Sequence, residues 1–125
     1  SLLDVGAPLA FGSDWPVVSI NPFLGIHAAV TASSLDGDLF VPEQRISVEE
    51  ALHAYTSGAA HAAGDDQRLG RIAPGYLADF VILDDDILTI DPDELPTVRV
   101  KATYVNGRRV WSSGNDSVST QSRQP

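Results

Sequence analysis

Apolar and polar positions divide the chain into four zones. The first, roughly residues 3–14, is apolar through Pro8-Leu9-Ala10-Phe11-Gly12 and ends on Ser13-Asp14. A short run that is apolar on both faces predicts a strand of a parallel sheet, covered above and below. Pro16 stops it, because proline brings no N–H to a ladder. The second zone, about 21–34, predicts a mostly buried helix. Asn21-Pro22 supplies an N-cap and a proline at the first helical position. Phe23, Leu24, Ile26, His27, Ala28, Ala29, Val30 and Ala32 follow with little polarity. Asp36-Gly37-Asp38 reads as the turn that ends this helix, before a loop to about Arg45.

The third zone carries the clearest helix signal. Ser47-Val48-Glu49-Glu50 is a capping box, in which the Ser47 hydroxyl accepts from the Glu50 amide and the Glu50 side chain reaches back. Ala51 through Thr56 continue it, with Leu52, Tyr55, Ala59 and Ala62 spaced to share one face. Gly58 is expected to divide it into two short helices, the second running Ala59 to Ala63 and stopping at Gly64. In the fourth zone, from about residue 69, the period changes. A turn-rich stretch from Leu69 to Gly75 leads to a strand over Ala78–Asp84. Runs over Val98–Val105 and Arg108–Trp111 flank Asn106-Gly107, and Asn-Gly in that position is the strongest short hairpin signal. From Ser112 onward the polar tail is expected to be disordered.

Charge narrows the partners. Seventeen Asp and Glu against 8 Lys and Arg, a formal charge of −9, argue against nucleic acid and against anionic membranes. No apolar run approaches a membrane span, and no secretory leader is visible. The lack of cysteine removes disulfides, thiolate metal sites and Cys nucleophiles together, and fits a cytoplasmic location. The order of elements is odd for a self-sufficient domain. One parallel-type strand has no visible neighbour, two helices need a sheet to cover, and the last strands form their own antiparallel layer. The expectation is the closing piece of an α/β barrel joined to a β appendage, beginning within a larger protein.

A carboxylate at the carboxyl end of a barrel strand sits where such folds keep their chemistry, which makes Asp14 the candidate. On the residues alone two readings of it stay open: a metal ligand and proton acceptor, or an acid that caps a turn before Pro16. Trp15 beside it either walls a substrate pocket or packs. His53 and His61 are eight residues apart, unlike the spacing of about three or four in helical metal pairs. His27 lies among apolar residues, and all three read as core or rim histidines with one hydrogen bond. Asp84, Asp85, Asp86, Asp91, Asp93 and Glu94 lack the Gly and Glu of a calcium loop and read as solvated connections. Ser13 has neither a nucleophile elbow nor a paired His, and Asp65-Asp66 reads as a helix-ending turn.

Gly12-Ser13-Asp14-Trp15-Pro16-Val17, Asn21 through Ile26, Ala28 through Thr31, Arg45 through Leu52, Ala54-Tyr55-Thr56, Gly58-Ala59-Ala60, Gly70-Arg71-Ile72, Pro74-Gly75, Ala78 through Asp84 and Val105-Asn106-Gly107 together carry a likeness. Over about residues 5–111 the chain resembles the metal-dependent amidohydrolase superfamily, in the branch of N-substituted formamide deformylase-like proteins. The resemblance implies an α/β fold: the C-terminal piece of a (β/α)8 TIM barrel, its last strand and helices, at 1–66. Strands of a composite β-sandwich follow at 67–111 and a disordered polar tail at 112–125. It implies that Asp14 matches the eighth-strand Asp that contacts the metal and takes a proton from its water. The metal is zinc or another divalent ion, otherwise held by a His-x-His pair, a Lys or Glu and two further His of earlier strands, and this sequence matches none of those positions. Trp15 then lies at the substrate. The implied reaction is hydrolysis of non-peptide C–N bonds, amide or formamide, in a small molecule, by metal-activated water. This 125-residue portion would by itself be inactive and hold no metal tightly. Its implied partner is the missing N-terminal barrel portion or a second copy, with neither nucleic acid nor membrane. The alternative is a non-catalytic, self-associating interaction module derived from the same family.

Overall fold

The computed structural model describes residues 2–34 and 36–114. Helix α1 (Pro22–Thr31) starts as the sequence predicts, with the Asn21 side chain accepting from the Phe23 amide at 3.0 Å. It stops short of residue 34, because Ala32 takes a left-handed conformation and its N–H bonds the Ala28 carbonyl. Asp36-Gly37-Asp38 therefore closes a separate small loop, in which Ser33 pairs with Leu39 and the Ser34 amide donates to the Asp38 carbonyl. A single 3-10 turn, Pro42–Gln44, interrupts the loop to Arg45.

Helix α2 (Val48–His53) carries the expected capping box. Ser47 Oγ accepts from the Glu50 amide at 3.1 Å, and a Glu50 carboxylate oxygen from the Ser47 amide at 2.7 Å. Gly58 does not divide the helix. The chain passes through a π-helical turn, Ala54–Gly58, straight into α3 (Ala59–Ala62). Gly64 then ends it with positive φ while the Asp65 amide bonds the Ala60 carbonyl. The buried face also differs from the one the spacing predicts. Ala51, Ala54, Gly58 and Ala60 are buried, Leu52, Tyr55 and Ala59 are half-buried, and Ala62 is exposed. The wider π-turn rotates the residues beyond it, and the small residues let neighbouring backbone close in.

Strands β1 (Phe80–Leu83), β2 (Val100–Val105) and β3 (Arg108–Ser112) form one antiparallel sheet in that order. Asn106 and Gly107 both take positive φ, 49° and 73°, the two-residue turn whose twist matches its strands. The turn is tied to the start of β1 by the Gly107 amide on the Ala78 carbonyl, and by the Asn106 amide on the Asp79 carboxylate. Phe80 and Tyr104 stack face to face across the ladder at 4.6 Å. β2 begins at Val100 because Pro92–Thr97 winds a 3-10 segment first, capped by Asp91. Ser112 belongs to β3 rather than to the tail, and residues 115–125, where a disordered tail is expected, lie outside the described residues.

The largest departure is the first zone. Leu2 through Gly6 form turns, and residues 7–14 make no ladder among the described residues. Pro8, Ala10, Gly12 and Asp14 are exposed, while Leu9, Phe11 and Ser13 are half-buried. A parallel strand takes its hydrogen bonds from neighbouring strands; here the Phe11 amide reaches a helix instead, donating to the Ala54 carbonyl at 3.0 Å. Apolar side chains favour burial but supply no partner backbone. The core lies between α1, α2 and the 3-10 segment: Phe23, Ile26, Ala51, Ile87, Leu95 and Val98 are buried together. Phe11, Tyr55, Leu83 and Val100 pack against it, so the first zone and the sheet touch the same core. Among the described residues no helix is long and apolar enough to cross a membrane.

Candidate active site

Asp14 ends the extended segment in a left-handed conformation, φ 53°, and its carbonyl accepts the Val17 amide at 2.9 Å across a cis Trp15–Pro16 bond. The turn is thus closed by backbone. The carboxylate stands outside it, exposed and without a hydrogen-bond partner among the described residues. Trp15 is 66 % exposed, and Val17, Val18 and Ile20 are exposed beside it, an apolar lip next to a lone acid. Asp14 lines neither a groove of about 800 Å³ nor two smaller clefts of about 280 and 270 Å³. The groove runs between the α2–α3 run and the sheet, with Leu52, Tyr55, Ala59, Ile72, Phe80 and Tyr104 in its wall. Leu52, Tyr55 and Ala59, three of the four residues spaced to share one face, thus line this groove, and Leu52 and Tyr55 also pack against the core.

The histidines do not converge. His27 is buried on α1, with Nδ1 unpartnered among the described residues and Nε2 3.6 Å from an Asp93 carboxylate oxygen, too long for a hydrogen bond. The single hydrogen bond expected of it is not formed. His53 is exposed at the end of α2. His61 Nδ1 lies 3.0 Å from Asp66 Oδ2, a pairing that the sequence pattern did not single out, though five-residue spacing across a helix end could have signalled it. Asp65 forms two hydrogen bonds with Arg68, at 2.8 and 3.2 Å. The guanidinium holds the Asp65 carboxyl below the usual carboxylate range, and the His61 hydrogen bond does the same for Asp66. Asp84, Asp86 and Asp91 each accept a backbone N–H, from Arg99, Leu88 and Asp93.

The structure also shows what presents Asp14. Phe11 meets the Tyr55 ring edge to face, centroids 5.5 Å apart, and burial pushes the Tyr55 hydroxyl above its ordinary value. A metal ion bound by protein groups alone takes about three or more ligands. Among the described residues no three His, Asp or Glu side chains come close enough to hold one. Asp14 can offer a single carboxylate; among the described residues the donor set does not fit a metal centre.

The profile of the amidohydrolase family matches residues 1–111, and the chain belongs to that family, whose members are generally metal-dependent. It is 45 % identical over 115 residues to protein LONG AFTER FAR-RED 3 of Arabidopsis thaliana, covering 89 % of this chain and 19 % of that protein. It is 33 % identical over 107 residues to an N-substituted formamide deformylase of Arthrobacter pascens, covering 86 % and 20 %. A crystal structure of an amidohydrolase from Thermotoga maritima superposes with a TM-score of 0.67 at 23 % identity, over 89 % of this chain and 24 % of that one. The chain thus spans about a fifth of the length of the curated relatives it matches.

Proposed function

We propose that this chain is the C-terminal portion of a metal-dependent amidohydrolase that hydrolyses non-peptide C–N bonds of amide or formamide type. Residues 1–66 would close the barrel with its last strand and helices, residues 67–111 would be strands of the composite sandwich, and residues 112–125 a polar tail. The extended segment 7–14 would then pair with barrel neighbours through the backbone groups that the helix leaves free. The exposed apolar residues Trp15, Val17, Val18 and Ile20 would face that remainder or the substrate. The enzyme would act in the cytoplasm on a small molecule.

The observation that carries this reading is the free Asp14 carboxylate at the end of an apolar segment, in a chain matched by the family profile over residues 1–111. Because this chain's donors do not make a metal site, the other ligands would come from the rest of the barrel. The part assigned to Asp14 is to accept a proton from the water that attacks the carbonyl carbon. Positioned proton transfer of this kind contributes about 10²–10⁴ in rate. In the full-length hydrolase, with formate release from an N-alkylformamide as readout, Asp14→Asn should lower kcat by at least about 100-fold while the circular dichroism spectrum is kept. Unchanged turnover rejects the assignment. Nothing in the comparisons favours a stand-alone interaction module.

A further inference from the structure

We infer that Gly58 and the π-turn around it are the positioning elements that seat the Asp14-bearing segment, an inference that rests on the hydrolase reading above for its functional consequence. Three contacts converge there. The Ala54 carbonyl accepts from the Ala59 amide, as a π-turn requires, and from the Phe11 amide at 3.0 Å. The Leu9 carbonyl packs so closely on Gly58 that a Cβ there would collide with its oxygen. The Phe11 ring meets Tyr55 edge to face, and the Tyr55 hydroxyl in turn fills the space a Cβ would need on Gly25 of α1. Leu9 and Phe11 thus fix the segment by one carbonyl, one amide and one ring, five and three residues before Asp14.

The sign of one substitution separates this from an ordinary helix glycine. Gly58 has φ −64° and ψ −46°, helical values that any residue adopts. Alanine is the better helix former, so with open space at residue 58 Gly58→Ala would tighten the helix. With the Leu9 carbonyl in the way it must instead push the segment off. π-turns recur at functional sites, and here the turn's own carbonyl binds the segment.

The test is amide exchange by NMR on the 125-residue chain. Gly58→Ala should lower the protection of the Phe11 amide at least about tenfold, the loss of one buried hydrogen bond, with the Ala51 and Ala102 amides unchanged. Ala59→Gly, which alters helix propensity without touching Leu9, should leave Phe11 within about twofold of the Ala51 response. Equal Phe11 protection in wild type and Gly58→Ala, or none in wild type, overturns the inference. If Gly58→Ala unfolds, Phe11→Leu carries the same test through the lost Tyr55 contact: protection at residue 11 should fall about tenfold, and no fall overturns it. In the full-length hydrolase, Gly58→Ala should lower kcat at least about tenfold per folded molecule with KM within about twofold; an unchanged kcat overturns the positioning role. Asp14→Asn with intact turnover would instead fail the hydrolase reading and leave the exchange result standing.

Discussion

The hairpin at 100–112 and the extended segment at 7–14 both read as strand-forming in the sequence, yet only the hairpin forms a ladder. The hairpin carries its partner within a few residues, and Asn106-Gly107 sets the turn that brings the two together. The segment carries the side chains of a strand without a neighbour to pair with, so it rests on a helix through the Phe11 amide and the Leu9 carbonyl. Self-pairing structure is complete in this chain. Among the described residues the segment shows only its anchor points on the helix.

The strongest way to break this contrast is at the core that both regions touch. Leu95 is fully buried, and Leu95→Ala should lower unfolding stability by about 2–5 kcal/mol in urea titration. Tyr104 and Phe11 exchange should rise together; loss confined to one region would show that the two do not share a core. Gly107→Ala forces a side chain into positive φ and should cost about 1–2 kcal/mol. It should loosen Val105 and Arg108 while leaving the Phe11 amide untouched, and an equal loosening of both would erase the distinction. Ser47→Ala removes the cap that anchors the helix bearing Ala54, at about 1 kcal/mol, seen as a lower thermal midpoint.

The smallest effect is in the charges beyond α3. Asp65 and Asp66 titrate below the ordinary value of 3.8, held there chiefly by hydrogen bonds from Arg68 and His61. A depressed folded-state pKa gives stability that is present above the ordinary value and lost as pH falls through the folded one. Both side chains keep over a third of their surface in solvent, so the contribution is slight. His61→Ala should raise the Asp66 midpoint toward the ordinary range in a carboxyl-carbon NMR titration, with Asp65 unmoved. A stationary Asp66 would remove His61 as the cause.

Legibility in the sequence obeys the same division. Asn21-Pro22, Ser47 with Glu50, Gly64 and Asn106-Gly107 act within a few residues, and each forms the cap or turn its pattern predicts. The segment ending at Asp14 reads as a strand and is not one here, because a continuous apolar run records what residues prefer to touch, not whether a partner is within reach. Gly58 suggests a break; its actual role, room for the Leu9 carbonyl, is set by a residue far away along the chain. Asp14 is legible as the candidate acid, and the backbone-closed turn that leaves its carboxylate free is not, because Asp at positive φ carries no separate sequence mark. The His61–Asp66 pair depends on how the helix ends.

On the proposed function, Asp14 would complete a metal centre whose other ligands lie on the rest of the barrel. Anomalous diffraction from crystals of the full-length hydrolase, collected at the absorption edge of its bound metal, tests it most directly. A peak is expected about 2.0–2.2 Å from an Asp14 carboxylate oxygen. A metal whose complete ligand shell excludes Asp14 would contradict it.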